Sequence, residues 1–142
     1  MLKMSKLTEY AFMVIMALKK SDVPASAEQV ARATGLETPT ASKILKQLKK
    51  AGLLAAKRGA TGGYFLVKSK QDISLHEVIK AMEGGMSLTD CAEDDAACHL
   101  TDACYMSAGM KRVNQVILKA LESVTVSDIL DDQKKITLQI KP

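Results

Sequence analysis

AEQVARATGLETPTASKILKQLKKAGLL, residues 27–54, decides the fold. Ser26 before it and Gln29 within it form a capping box, in which the hydroxyl and the amide satisfy backbone donors reciprocally. The helix they open is expected to reach about Thr34, where Gly35 tolerates the left-handed conformation that ends helices. A second helix follows a short turn, with Thr38 as N-cap and Pro39 at its first position, and runs to about Ala51 before Gly52. Ala41, Ile44, Leu45 and Leu48 recur at helical spacing and face inward. Thr40, Ser42, Lys43, Lys46, Gln47 and Lys50 are left outward or at the flanks. Short helix, glycine turn, and a second helix with a polar, basic outer face make a helix-turn-helix. A plain helical hairpin with a solvated face has the same local pattern, so the surroundings decide between them.

Those surroundings favour DNA. Residues 53–57 (LLAAK) and 64–67 (YFLV) read as strands around the turn at 58–63 (RGATGG), a hairpin placed where a wing belongs. Glycines such as Gly59 let a wing's backbone lie close to a sugar-phosphate chain, and Arg58 at its tip suits the negative potential of a minor groove. The charge agrees. Residues 1–80 carry 14 Lys/Arg against 6 Asp/Glu, and residues 81–142 carry 6 against 10, within a chain of 142 residues and net charge +4. The basic half attracts phosphate and the acidic half does not.

Outward from the wing, residues 6–19 form a helix with Leu7, Tyr10, Ala11, Val14, Ile15 and Leu18 on one face. Ser74 and Glu77 form another capping box, opening a helix through Val78, Ile79 and Met82 that Gly84-Gly85 ends. His76, in its first turn, reads as a surface side chain. A helix from Ser107 to about Ser123 carries Met110, Val113, Ile117, Ala120 and Val124 as a seam, widened by Val116 and Leu121. The seam suits a two-fold dimer, whose symmetry would match a palindromic operator, or packing on its own domain. Residues 126–130 suggest a further helical turn, and Ile136, Leu138 and Ile140 a short strand or tail. No run is apolar enough to span a membrane, and Glu9 interrupts the first apolar segment with no small-residue cleavage site after it. A cytoplasmic protein is therefore expected.

The segment at 87–106, SLTDCAEDDAACHLTDACYM, holds all three cysteines, Cys91, Cys98 and Cys104, and no lysine or arginine. Clustered thiols in a reducing compartment point to metal or redox chemistry. The Cys-x6-Cys-x5-Cys spacing is neither a zinc knuckle nor a ferredoxin run. Three thiolates leave a four-ligand site one short, with His99 and Glu9 as the candidates. Asp90, Glu93, Asp94, Asp95 and Asp102 keep the segment soluble and would lower a cluster's reduction potential. Structural zinc or a thiol switch stays open, although a cation-poor loop does not lower thiol pKa values. No general base or phosphate loop supports an enzyme.

Taken together, LTEYAFMVIMAL at 7–18, the helix-turn-helix, the wing KRGATGGYFLVK at 57–68, ISLHEVIKAMEGG at 73–85 and the three cysteines resemble the IscR/NsrR-type winged-helix iron–sulfur regulators. MSLTDC at 86–91 is most similar to the branch that regulates the SUF assembly operon. The resemblance implies a cluster on Cys91, Cys98 and Cys104, [2Fe–2S] favoured over [4Fe–4S]. One branch takes its fourth ligand from a histidine three residues after the last cysteine; Ser107 stands there, so that ligand does not carry over. Another uses an acidic residue near the partner subunit's N-terminus, the place Glu9 occupies. DNA contacts are implied at Thr38, Pro39, Thr40, Ser42 and Lys43, and at Arg58 and Gly59.

The expected fold is mainly α with a small β-hairpin: a winged helix-turn-helix over 1–84, a cluster-binding loop over 85–106, and a long C-terminal dimerisation helix and tail over 107–142. The expected function is a homodimeric, DNA-binding repressor of iron–sulfur assembly genes that senses through its cluster, with a cluster-free regulator using zinc or thiol oxidation as the alternative.

Overall fold

Serine side chains start three of the helices. Ser5 accepts from Thr8 N at α1 (Lys6–Ala17), Ser26 from Gln29 N at α2 (Ala27–Thr34), and Ser74 from Glu77 N at α4 (Leu75–Glu83). The boxes at Ser26 and Ser74 close in both directions, as expected. The computed structural model describes residues 3–18, 23–92, 98–100 and 103–130. Between α2 and α4 lie α3 (Thr38–Lys50) and an antiparallel hairpin of β1 (Leu54–Lys57) and β2 (Gly63–Leu66). A 3-10 turn at Asp90–Ala92, then α5 (Ser107–Glu122) and α6 (Val126–Leu130), complete the order.

Two expectations are corrected at the helix ends. Thr38 is not the N-cap: Glu37 holds that place in an extended conformation and its side chain caps nothing. Pro39 in the first turn makes a side-chain cap less necessary, because it brings one fewer unpaired N–H and a pre-set φ. α1 stops at Ala17, where Leu18 turns extended. Gly35 takes the expected left-handed conformation at φ 72°. The expected tail strand around Ile136 lies outside the described residues.

The core forms around α1, which packs on α2, α3 and α4. Val14, Ile15 and Leu18 meet Val30, Ile44, Leu45, Leu48 and Val78 with no solvent access or nearly none. Each contributes roughly 1.5–3 kcal/mol of burial. All four inward positions of α3 are buried, which leaves Thr38, Pro39, Lys43, Lys46 and Lys50 exposed. Past α5 the chain returns to the start of α4. Leu75 N donates to Val124 O and Val126 N to Ile73 O, each at 2.9 Å, and Val126 joins the core. Among the described residues no helix is long and apolar enough to cross a membrane.

The wing is anchored by backbone. Ala25 N donates to Tyr64 O at 2.9 Å and Tyr64 N to Ala25 O at 2.8 Å, which joins the residue before α2 to β2. Gly63, at φ 151°, makes this approach possible: a Cβ there would lie 2.5 Å from the Ala25 carbonyl carbon and oxygen. Gly35, by contrast, faces open space. Gly63→Ala is expected to lower the urea unfolding free energy by about 2 kcal/mol or more, from steric overlap added to backbone strain. Gly35→Ala is expected to cost only about 1 kcal/mol, from strain alone. Equal losses in the two variants would refute this account of the wing's anchor.

Candidate functional site

The residues assigned to DNA lie on the surface left by the buried face of α3. Thr38, Pro39 and Lys43 are exposed, and Thr40 and Ser42 half-buried. Pro39, Ser42, Lys43, Lys46, Gln47 and Lys50 line a groove along the helix. Lys43, Lys46 and Lys50 follow at spacings of three and four, so they form one row. No ion pair among the described residues involves them. Arg58 and Gly59 are exposed at the wing's turn, where Gly62 N donates to Gly59 O at 3.0 Å. The wing's other glycines serve the protein's own chain: a Cβ on Gly62 would meet Lys57 O at 2.2 Å, and Gly63 accommodates Ala25.

Two polar ties were not visible in the sequence. Gln47 is half-buried and donates from Nε2 to the carbonyls of Met82 at 3.0 Å and Ala81 at 3.3 Å, joining α3 to the last turn of α4. Glu83, the next residue, accepts from Ser5 N at 3.0 Å and from the Thr8 hydroxyl. The Thr8 hydroxyl first, then Ser5, hold the Glu83 carboxyl below the usual glutamate range. Thr8 itself is fully buried. The start of α1, the end of α4 and the C-terminal part of α3 are thus joined just before Gly84 and the cysteine segment. A glutamine on a helix flank reads as solvated until a neighbouring helix end is placed against it.

The start of the cysteine segment, residues 88–92, docks on α5. Asn114, the buried residue of α5, accepts from Leu88 N at 3.1 Å, and the 3-10 turn bearing Cys91 packs on the same helix. A polar residue inside an apolar seam was the available signal for Asn114. Cys91, Cys98 and Cys104 are all half-buried. The Cys91 Sγ lies 3.2 Å from the Thr89 hydroxyl, and Cys104 O accepts from Ser107 N at 3.3 Å and Ser107 Oγ at 3.1 Å. His99 is exposed, and Glu9 is paired with Lys6 at 2.6 Å. Three thiols are a donor set suited to an iron–sulfur cluster. Within the single chain, however, no three His, Cys, Asp or Glu side chains among the described residues converge to hold a metal ion. Glu93, Asp94, Asp95 and Asp102 lie outside the described residues.

The seam of α5 divides. Ile117 and Leu121, with Leu75 and Ile79 of α4, line a groove on their own domain, and Val124 is buried. Val113 and Val116 are 47% and 45% exposed, leaving the opposite flank bare. His76 is drawn in further than a surface position: its Nδ1 lies 3.4 Å from Glu122 Oε1 across α4 and α5.

Comparison with known proteins agrees with this architecture. A family model described as Rrf2, iron-dependent transcriptional regulator, matches residues 4–132. The HTH-type transcriptional repressor NsrR of Streptomyces coelicolor is 27% identical over 132 residues, spanning 91% of this chain and 88% of that protein. The structure of CymR, described as the global cysteine regulator of B. subtilis, superposes with a TM-score of 0.64 at 26% identity, covering 91% of this chain and 96% of that one. T. potens IscR superposes with a TM-score of 0.61 at 27% identity, covering 94% and 89%.

The Glu83 tie has a pH signature. A carboxyl that ionises below its unfolded value stabilises the fold fully above the ordinary glutamate range, and this stabilisation is lost as pH falls through the lowered value. Urea midpoints measured from neutral to acid pH should therefore fall less steeply for Glu83→Gln than for wild type. Thr8→Val should cost about 1 kcal/mol near neutral pH. An acid limb unchanged in Glu83→Gln would remove Glu83 from this role.

Proposed function

The chain belongs to the Rrf2 family of transcriptional regulators, and from that premise we propose that it is a homodimeric repressor of iron–sulfur assembly genes, reading operator DNA with α3 and the wing and sensing through an iron–sulfur cluster. The observation that carries the DNA reading is the row Lys43, Lys46 and Lys50, in no ion pair among the described residues, beside Thr38, Pro39, Thr40 and Ser42 at the start of α3. Hydroxyls at a helix start reach base edges, lysines meet phosphate, and Arg58 and Gly59 suit the adjacent minor groove. The bare flank at Val113 and Val116 suits a second copy packed along α5, which would pair the two α3 helices on a palindromic site. In this reading, residues 1–84 bind DNA, 85–106 hold the cluster and 107–142 carry the dimer contact.

Cys91, Cys98 and Cys104 would hold the cluster, [2Fe–2S] rather than [4Fe–4S], with Glu9 of a second copy as the fourth ligand. Support comes from the donor set and from the likeness to T. potens IscR and to NsrR. Bound, the cluster supplies a tie that responds to iron–sulfur supply and redox state. Glu9 must leave Lys6 to serve, at little cost, because an exposed pair contributes about 0.2–1 kcal/mol. The chain's own residues then relay the loop's position: Asn114 holds the segment to α5, and Gln47 holds α3 to the end of α4, just before the segment begins.

Of a second reading, a cluster-free regulator using zinc or thiol oxidation, the thiol form is favoured by one observation: the described donors do not converge on a metal within a chain. The likeness to a cysteine regulator also fits it.

Anaerobic purification decides between them. The expected outcome is a coloured protein with visible absorption, iron and sulfide. A colourless protein that stays iron-free after reconstitution, or carries zinc instead, would overturn the cluster reading. Glu9→Ala should alter the visible spectrum and shorten cluster lifetime in air; an unchanged spectrum returns the fourth place to His99 or to none. Arg58→Ala should weaken operator binding roughly tenfold, on the scale of about 1–3 kcal/mol for a good base contact; undiminished binding would count against the wing contact.

A further inference from the structure

Between α2 and the wing lies an open cleft that the α3 contacts leave unused. Ser26, Glu28 and Arg32 line one wall, and Lys57, Thr61 and Gly62 the other. The walls are fixed relative to each other. The Ala25–Tyr64 backbone pair joins them at 2.9 and 2.8 Å, and the Ser26–Gln29 box fixes the start of α2. Arg32 and Lys57 are exposed, and neither enters an ion pair among the described residues. Glu28 is the carboxylate among the lining residues.

One sugar-phosphate strand separates any major groove from the minor groove beside it. A protein with a helix in the first and a hairpin tip in the second must straddle that strand. The cleft lies between the helix-turn-helix and the hairpin, and it carries two cations.

We propose that this cleft receives a backbone phosphodiester of the operator, held between Arg32 and Lys57. The inference rests on the wing reading above. The contact is blind to sequence: it sets where the protein sits and how tightly, not which bases it reads. Glu28 opposes the phosphate and limits the grip.

Operator affinity across a salt series, with an unrelated duplex beside it, tests the proposal. The Arg32→Gln/Lys57→Gln double variant should lower the slope of log affinity against log salt by about 0.9, the share of one phosphate, and weaken both duplexes equally, by about fivefold at 0.15 M salt; each single variant should lose part of that slope and affinity. Glu28→Gln should strengthen both. A duplex with a methylphosphonate in place of the phosphate between the two grooves should bind wild type more weakly. It should make no difference to the Arg32→Gln/Lys57→Gln double variant.

Unchanged salt slopes, a loss confined to the operator, or a methylphosphonate effect that persists in the double variant would each overturn the proposal. The parent reading is judged separately by Arg58→Ala. If that variant loses affinity while the cleft variants do not, the wing stands and the cleft falls. If all are inert, both fall.

Discussion

The backbone pairing of Ala25 with Tyr64 is the constraint on which the DNA-facing geometry depends. A two-stranded hairpin is at best marginally stable alone. Here its second strand gains a partner from the residue that leads into α2, and the direction in which the wing projects becomes a property of the helix-turn-helix. Gly63 lets the two chains approach. The shared core of α1, α3 and α4 holds α3 against the same body, so helix and hairpin present their cations from one frame. Rigidity of this kind suits DNA, where affinity comes from several weak phosphate contacts that must be met at once.

The elements themselves were legible because each is specified locally. Two capping boxes, a glycine in the left-handed region and four apolar residues at helical spacing defined α2, α3 and α4 without reference to the rest of the chain. The division of α3 into a buried and a solvent side was equally clear, and with it the placement of Thr38, Ser42 and Lys43. The helix starts were less so: Thr38 looks like a cap, but Glu37 occupies the place because the proline in the first turn lets the helix begin without a side-chain cap.

Contacts between distant elements were not legible. Gln47 and Glu83 carry no local signal, since their partners are backbone and hydroxyl groups 34 or more residues away. The wing glycines were read as making room for DNA, whereas Gly62 and Gly63 make room for the protein's own backbone. The seam of α5 was read as a single stripe. Its residues in fact serve two masters, Ile117 and Val124 facing their own domain while Val113 and Val116 remain bare, because the pattern of apolar spacing does not say which body covers which flank. The cysteine spacing named the donors but not their meeting point, which in this single chain is not formed among the described residues.

The return of the chain from α5 to the start of α4 has a mechanical consequence. Val124 and Val126 bond to the backbone of Leu75 and Ile73, and Asn114 bonds to Leu88, so α5 is secured at its middle and just past its C-terminal end. Flexible linkers let two modules search for their sites independently and dilute the second contact through the volume the tether sweeps. Here α5 packs on α4 directly and is joined to its start by backbone bonds. Whatever grips α5 therefore also takes hold of α4, and through α4 of the body that carries α3, so torque applied at that helix is passed on through packed contacts.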